Sequence, residues 1–188
     1  MISLSELWLP ILASGVVVWI GSAIVWMVLP HHKSDFSVVP DEEATRAALK
    51  GASPGLYNLP HMASWDAAKE PENRRKFDEG PVGFLTVLPN GVPNMGRSMF
   101  LSFVYFLVVS FLVAYVASFT LAAGTYYLAV FRLAGTVAWG AYGFGIIMDS
   151  IWFGRPWSNS VKHLLDGLFY ALLTAGTFGW LWPAGAEG

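Results

Sequence analysis

The sequence contains no cysteine. Disulfides, thiolate metal sites, iron–sulfur clusters and cysteine nucleophiles are therefore excluded, and thiol usage says nothing about the redox compartment. Charge is scarce as well: Asp, Glu, Lys and Arg make up 13% of 188 residues, against roughly 25% in an ordinary soluble domain. The net charge of -2 leaves no basic footprint, so nucleic acid is not expected as a partner. There is no block of like charge, no low-complexity tract and no repeat at a fixed period. The phosphate-loop pattern G-x-x-x-x-G-K-[ST], a dinucleotide-binding G-x-G-x-x-G between strand and helix, the hydrolase G-x-S-x-G and the zinc pattern H-E-x-x-H are all missing. These absences favour a non-catalytic protein.

What the chain has in abundance is apolar surface: 55% hydrophobic and 15% aromatic residues, with a mean hydropathy of +0.50. Four runs approach the roughly 20 residues that a helix needs to cross a bilayer core. They cover about Leu7 to Leu29, Met99 to Ala122, Tyr126 to Met148 and Leu164 to Pro183. The fold class expected is an all-α membrane protein of four transmembrane helices. Residues 1–30 form the first helix, 31–97 a partly ordered cap and 98–188 a three-helix transmembrane bundle. The leading MISLSE has an acid and no basic residue, which does not suit a signal peptide, so the first run is expected to be a retained anchor.

Ten basic residues, from Lys33 to Arg97 and then Arg155 and Lys162, fall after the first and third runs. The positive-inside rule then puts both termini outside and residues 31–97 in the cytoplasm. Trp8, Tyr126, Tyr127, Trp180 and Trp182 fit the outer interface, Trp26, Trp152 and Trp157 the inner one, and Trp19 and Trp139 pack between helices. Small residues recur every fourth position in the second run (Ser110, Ala114, Ser118, Ala122) and the fourth (Gly167, Ala171, Ala175, Gly179). Such stripes let helices approach closely in lipid. They serve either the chain's own bundle or association with itself or with other membrane subunits; the first run packs on that bundle or reaches a partner.

In the cap, "PDEEATRAALKG" reads as a short helix opened by Pro40 and stopped at Gly51, and "PENRRKFDEG" as a second between Pro71 and Gly80. The pairs Glu72/Lys76, Arg74/Asp78 and Arg75/Glu79 lie at i,i+4, so the basic run belongs to a solvated face. A strand from Phe84 to Leu88 with a turn at Asn90-Gly91 predicts a short hairpin.

All four histidines, His31, His32, His61 and His163, fall on the inner side, near Asp35, Asp66 and Asp149. Imidazole and carboxylate can hold a transition metal, but no metal-binding spacing is present. The preferred reading is that Pro30 ends the first helix and His31, His32 and Lys33 lie among headgroups, with no cofactor expected. Arg132 is the one charge well inside a run, Asp166 lying near the inner end of the fourth; it is about 9 Å deep at 1.5 Å per residue. Snorkelling to a lipid phosphate is preferred over pairing with Glu6 or Glu187 or a substrate-anion site. Asp149 can pair with Arg155 and Asp166 with Lys162, while Ser158 or Asn159 can cap the last helix.

The stretches "LPHHKSDF", "PDEEATRAALKG", "GPVGFLTVLPNG", "PNMGRSMF" and "YALLTAGTFGWLWP" resemble those of a group of small bacterial membrane proteins described as hypothetical. The resemblance spans most of the chain and implies a bacterial inner-membrane location, with no activity, cofactor or catalytic residue to carry over. Three functions follow for consideration: a non-catalytic accessory or assembly subunit of a membrane complex, a small oligomeric transporter or channel, and a metal-dependent membrane enzyme using the inner histidines.

Overall fold

The computed structural model describes residues 2–64 and 66–185; Glu187 lies outside them. The chain is mostly helical. Among the described residues three stretches are long and apolar enough to cross a membrane: Leu4–Val28, Met95–Thr120 and Tyr127–Trp152. The first joins a 3-10 turn, helix α1 (Trp8–Ala23) and a single π turn, Ile24–Val28. Pro30 follows, and His31–Ser34 form another 3-10 turn. The second is α4 (Met95–Thr120), capped by Asn94, whose side chain accepts from Arg97 N at 3.0 Å. The third comprises α5 (Tyr127–Gly143) and α6 (Gly145–Trp152), separated at Phe144. The fourth apolar run falls in the 24-residue helix α7 (Trp157–Trp180), which starts seven residues before the expected Leu164. It is not among the three, and Lys162, His163 and Asp166 occupy its first turns.

Helix α7 packs most extensively on α5, and α1 lies against both α4 and α7. The first helix is thus part of the bundle. The core joins Val113, Ala114 and Ala117 of α4, Val130, Ala134 and Ala138 of α5, and Ala171 and Phe178 of α7. Most of both small-residue stripes is taken up within the chain: Ser110 and Ala114 are fully buried and Ser118 nearly so, while Ala122 is exposed, and Ala171 and Ala175 lie in the α5–α7 seam. The α1 face had no comparable sequence signal, yet Gly15 sits against Leu107 and Gly21 against Leu173 and Phe169. Trp19 and Trp139 pack between helices as expected, their indole N–H groups donating to Met99 O (3.1 Å) and Leu164 O (3.3 Å).

One polar bridge crosses the core, Ser110 Oγ to Ser14 Oγ at 3.2 Å. Such bonds average only about 0.6 kcal/mol in membrane proteins, because the unfolded chain in lipid also finds partners. Ser110→Ala is therefore expected to lower stability by about that amount, as read from unfolding in mixed detergent micelles.

The cap contains both short helices, with two corrections. Helix α2 (Glu42–Ala48) opens two residues later than expected and ends before Gly51, because Asp41 is its N-cap and accepts from Ala44 N at 2.8 Å. A side-chain acceptor satisfies a free N–H, which Pro40 cannot do. Helix α3 (Pro71–Glu79) begins at its proline, and two of the three expected ion pairs close, Arg75–Glu79 and Lys76–Glu72, each at 3.5 Å. The hairpin at Asn90-Gly91 does not form. Strand β2 (Gly83–Val87) pairs antiparallel with an upstream strand, β1 (Gly55–Leu59), in the register Gly55↔Val87 through Leu59↔Gly83. The α3 segment is the connection, and it brings the two apolar stretches together where a two-residue turn has no partner strand to offer downstream.

Candidate functional site

The polar chemistry converges where the first span ends against the first turns of α7. Pro30 stops the helix and starts the turn that carries His31 and His32. On α7, Lys162 and Asp166 are one turn apart and face this turn. His31 Nε2 lies 3.0 Å from one oxygen of Asp166, and His32 Nε2 lies 2.8 Å from the other. The second nitrogen of His32, Nδ1, lies 2.6 Å from Asp35 Oδ2. Lys162 Nζ donates to the remaining oxygen of Asp35 at 2.6 Å, to His31 O at 2.6 Å and to Ser34 Oγ at 2.9 Å. Asn159 Nδ2 donates to Asp35 O at 3.2 Å.

This network replaces three expectations. His32 is buried, at 8% exposure, and His31 is half-buried, so both imidazoles turn into the protein onto Asp166 instead of standing free at the surface. Lys162 pairs with Asp35 rather than with Asp166 four residues on, because Asp166 turns toward the two imidazoles. Asn159 reaches the cap backbone instead of capping α7, whose N-cap is Pro156. The expected Asp149–Arg155 pair does form, at 3.3 Å.

Of the four histidines, three are brought together. The His32 ring stacks on Trp26 with centroids 3.8 Å apart and planes within 5°. His163 stands beside both, 5.3 Å from His32 and 5.4 Å from Trp26. His61 is elsewhere, exposed after β1, with Nδ1 2.8 Å from Asn58 Oδ1. Arg132 is exposed on α5, while Glu6 is engaged by Ser3, whose backbone N and Oγ donate to it at 2.8 and 2.6 Å. Asp35 was noted among the carboxylates on the histidines' side and Asp166 only as a partner for Lys162; that these two close on the imidazoles, and Asp66 and Asp149 do not, was not read from the sequence. The available signal was spacing: Asp35 is three residues after His32, and Asp166 three after His163 and four after Lys162.

Electrostatically, His32 is flanked by carboxylates on both nitrogens. A neutral imidazole donates from one nitrogen only, so both short contacts are hydrogen bonds when each line carries a proton. The Lys162 ammonium, and then the His32 ring, hold the Asp35 carboxyl down at about 2, from an ordinary 3.8. A carboxyl lowered by folding stabilises the fold above its ordinary value and loses that contribution as pH falls toward the lowered one. Acid unfolding is therefore expected to show a component between about pH 4 and pH 2 that is absent in Asp35→Asn, read from helix content against pH.

Asp35 and Asn159 also line a cavity of about 610 Å³ between the β1–β2 sheet and the ends of α6 and α7. Phe84 of β2 meets Phe153 across it, edge to face at 5.5 Å. Comparison with known proteins yields no match to a family model, a curated protein or a solved structure.

Proposed function

We propose that the protein is a four-span bacterial inner-membrane protein, with both termini outside and residues 31–97 cytoplasmic, serving as a non-catalytic accessory or assembly subunit of a larger membrane complex. The observation that supports this reading is the uncovered surface of the spans. Only 33%, 28% and 22% of the most apolar windows of the three candidate spans are buried within the chain. Lipid covers part of such a surface and a neighbouring subunit can take the rest. The small-residue stripes are already mostly used internally, so that neighbour docks on bulkier side chains such as Phe111 and Tyr115 of α4.

Helix α7 serves as the fourth span in this reading. At 24 residues it is about 36 Å long at 1.5 Å per residue, enough for a hydrocarbon core of about 30 Å. Its charged side chains, Lys162 and Asp166, lie in the first ten residues on the side that joins the cap, so the 14 residues beyond Asp166 span about 21 Å and a core of about 30 Å takes in the Asp166 turn as well. The small-transporter alternative draws on the polar side chains inside the bundle, where Ser14, Ser110 and Thr174 are fully buried.

Native mass spectrometry after mild-detergent extraction from the source membrane separates the two. Co-purification of stoichiometric other subunits is expected. A stable homo-oligomer with no other chain overturns the accessory reading in favour of the transporter. A reporter fused after Gly188 is expected to be active outside the cytoplasm, and cytoplasmic activity overturns the topology.

A further inference from the structure

We propose that His31, His32 and Asp166 form a binding site for one divalent transition-metal ion of the zinc, copper or cobalt class. One ligand atom from each lies within 4.8 Å of the others. The two Nε2 atoms approach the two oxygens of a single carboxylate at 3.0 and 2.8 Å. An ion with ligand bonds of about 2.0–2.2 Å fits among these three groups after small side-chain shifts, replacing the protons that now join them.

The surroundings have the form of an outer shell. Metal-bound histidines commonly present their other nitrogen to a carboxylate, which fixes the tautomer and orients the ring. Asp35 occupies that place on His32, at 2.6 Å from Nδ1. Asp35 is itself fixed by Lys162 at 2.6 Å. Trp26 blocks rotation of the His32 ring by stacking on it at 3.8 Å. The preorganisation thus favours Nε2 as the metal-facing atom.

A second triad, His32, Asp35 and His163, is also close enough to hold an ion. The Lys162 ammonium on Asp35 argues against its use, since a cation there meets a positive charge already in place. One ion per chain follows, on the Nε2 side of His32. Two imidazoles and one carboxylate suit borderline metals, whereas calcium takes six to eight oxygens and magnesium a near-octahedral oxygen shell. Ion entry is available because His31 is half-buried rather than sealed.

The ligands come from the end of the first span and from α7, so an ion joins two elements far apart in sequence. Binding to the folded state alone raises its stability by mass action. This inference is independent of the accessory reading, as every ligand belongs to this chain.

The full chain, purified in mild detergent and stripped with chelator, is titrated with Co(II) and then Zn(II). Expected are one equivalent retained after desalting, a visible cobalt absorption band, displacement of cobalt by zinc and a thermal midpoint raised by several degrees. His31→Ala is expected to lower affinity at least tenfold and to lose the cobalt band, while His61→Ala retains both. Circular dichroism confirms that each variant is folded; if His31→Ala is not, His31→Gln takes its place. Less than a tenth of an equivalent on the folded wild type, equal loading of the His31 variant, or displacement of cobalt by millimolar magnesium overturns the proposal.

Discussion

Asp166→Asn is expected to lower the stability of the bundle by about 3 kcal/mol, the low end for removing one partner of a buried ion pair. Asp166 is 8% exposed and accepts from both His31 and His32. The amide keeps the volume but loses the charge, and its NH2 group turns a donor toward one of the two imidazoles. His32 is 8% exposed and cannot recover the loss from water. An apparent thermal midpoint lower by about 10 °C is the corresponding signal, from the roughly 2–4 °C per kcal/mol usual at this chain length. Asp66→Asn is the matched control. Its pair with Lys69 is short, at 2.7 Å, but the two side chains are 86% and 79% exposed, and such surface pairs contribute about 0–1 kcal/mol. Equal effects of the two variants would show that the cluster is solvated and not a clasp between the first span and α7.

Gly167→Val is expected to have an effect of similar size through packing alone. A Cβ at Gly167 meets Gly143 Cα at 2.9 Å, Gly143 N at 3.0 Å and Tyr142 C at 3.1 Å. All three are backbone atoms, which cannot rotate away as a side chain does. Helices α5 and α7 must separate there, weakening the neighbouring contact of Gly135 with Ala175, which is close enough that a Cβ added at Gly135 would lie 3.2 Å from Ala175 Cβ. Overpacking of this kind costs about 1–3 kcal/mol, and the upper end is expected because close approach is the main source of helix association in lipid. Gly140→Ala, on the same helix pair but with nothing within 4 Å of the new Cβ, is expected to be neutral. Unfolding of both variants in mixed micelles measures the difference; a Gly167 variant as stable as Gly140→Ala would mean that the α5–α7 seam is looser than described.

These two residues show how differently the sequence exposes its information. Gly167 was legible, because a four-residue repeat of small residues identifies a close helix contact from composition and spacing alone. What the repeat could not name was the partner, which is Gly143 of α5 within the same chain and not a second subunit. Asp166 was legible only as a charge at a helix end, with Lys162 four residues away as its obvious partner. Local spacing favours that pair by a few tenths of a kcal/mol. The tertiary fold offered it two imidazoles from a turn 135 residues upstream and gave Lys162 a different carboxylate. The cap repeats the contrast: the opening proline and stopping glycine of α3 were read to the residue and α2 was placed to within two or three, while the partner of β2 was not found.

The sequence by itself determined the class of the protein and its helical runs, with their ends placed only to within several residues: the helix of the fourth run begins at Trp157, seven residues before the expected Leu164. Hydropathy, helix-stopping prolines and small-residue periodicity act over one or two helical turns and leave their mark in consecutive residues. Only the tertiary structure decided that the first helix belongs to the bundle, that His31, His32 and His163 meet Asp35 and Asp166 while His61 stays apart, and that β1 pairs with β2. Those outcomes depend on which faces of separate helices come together, and a contact between distant segments has no periodicity in the chain that makes it.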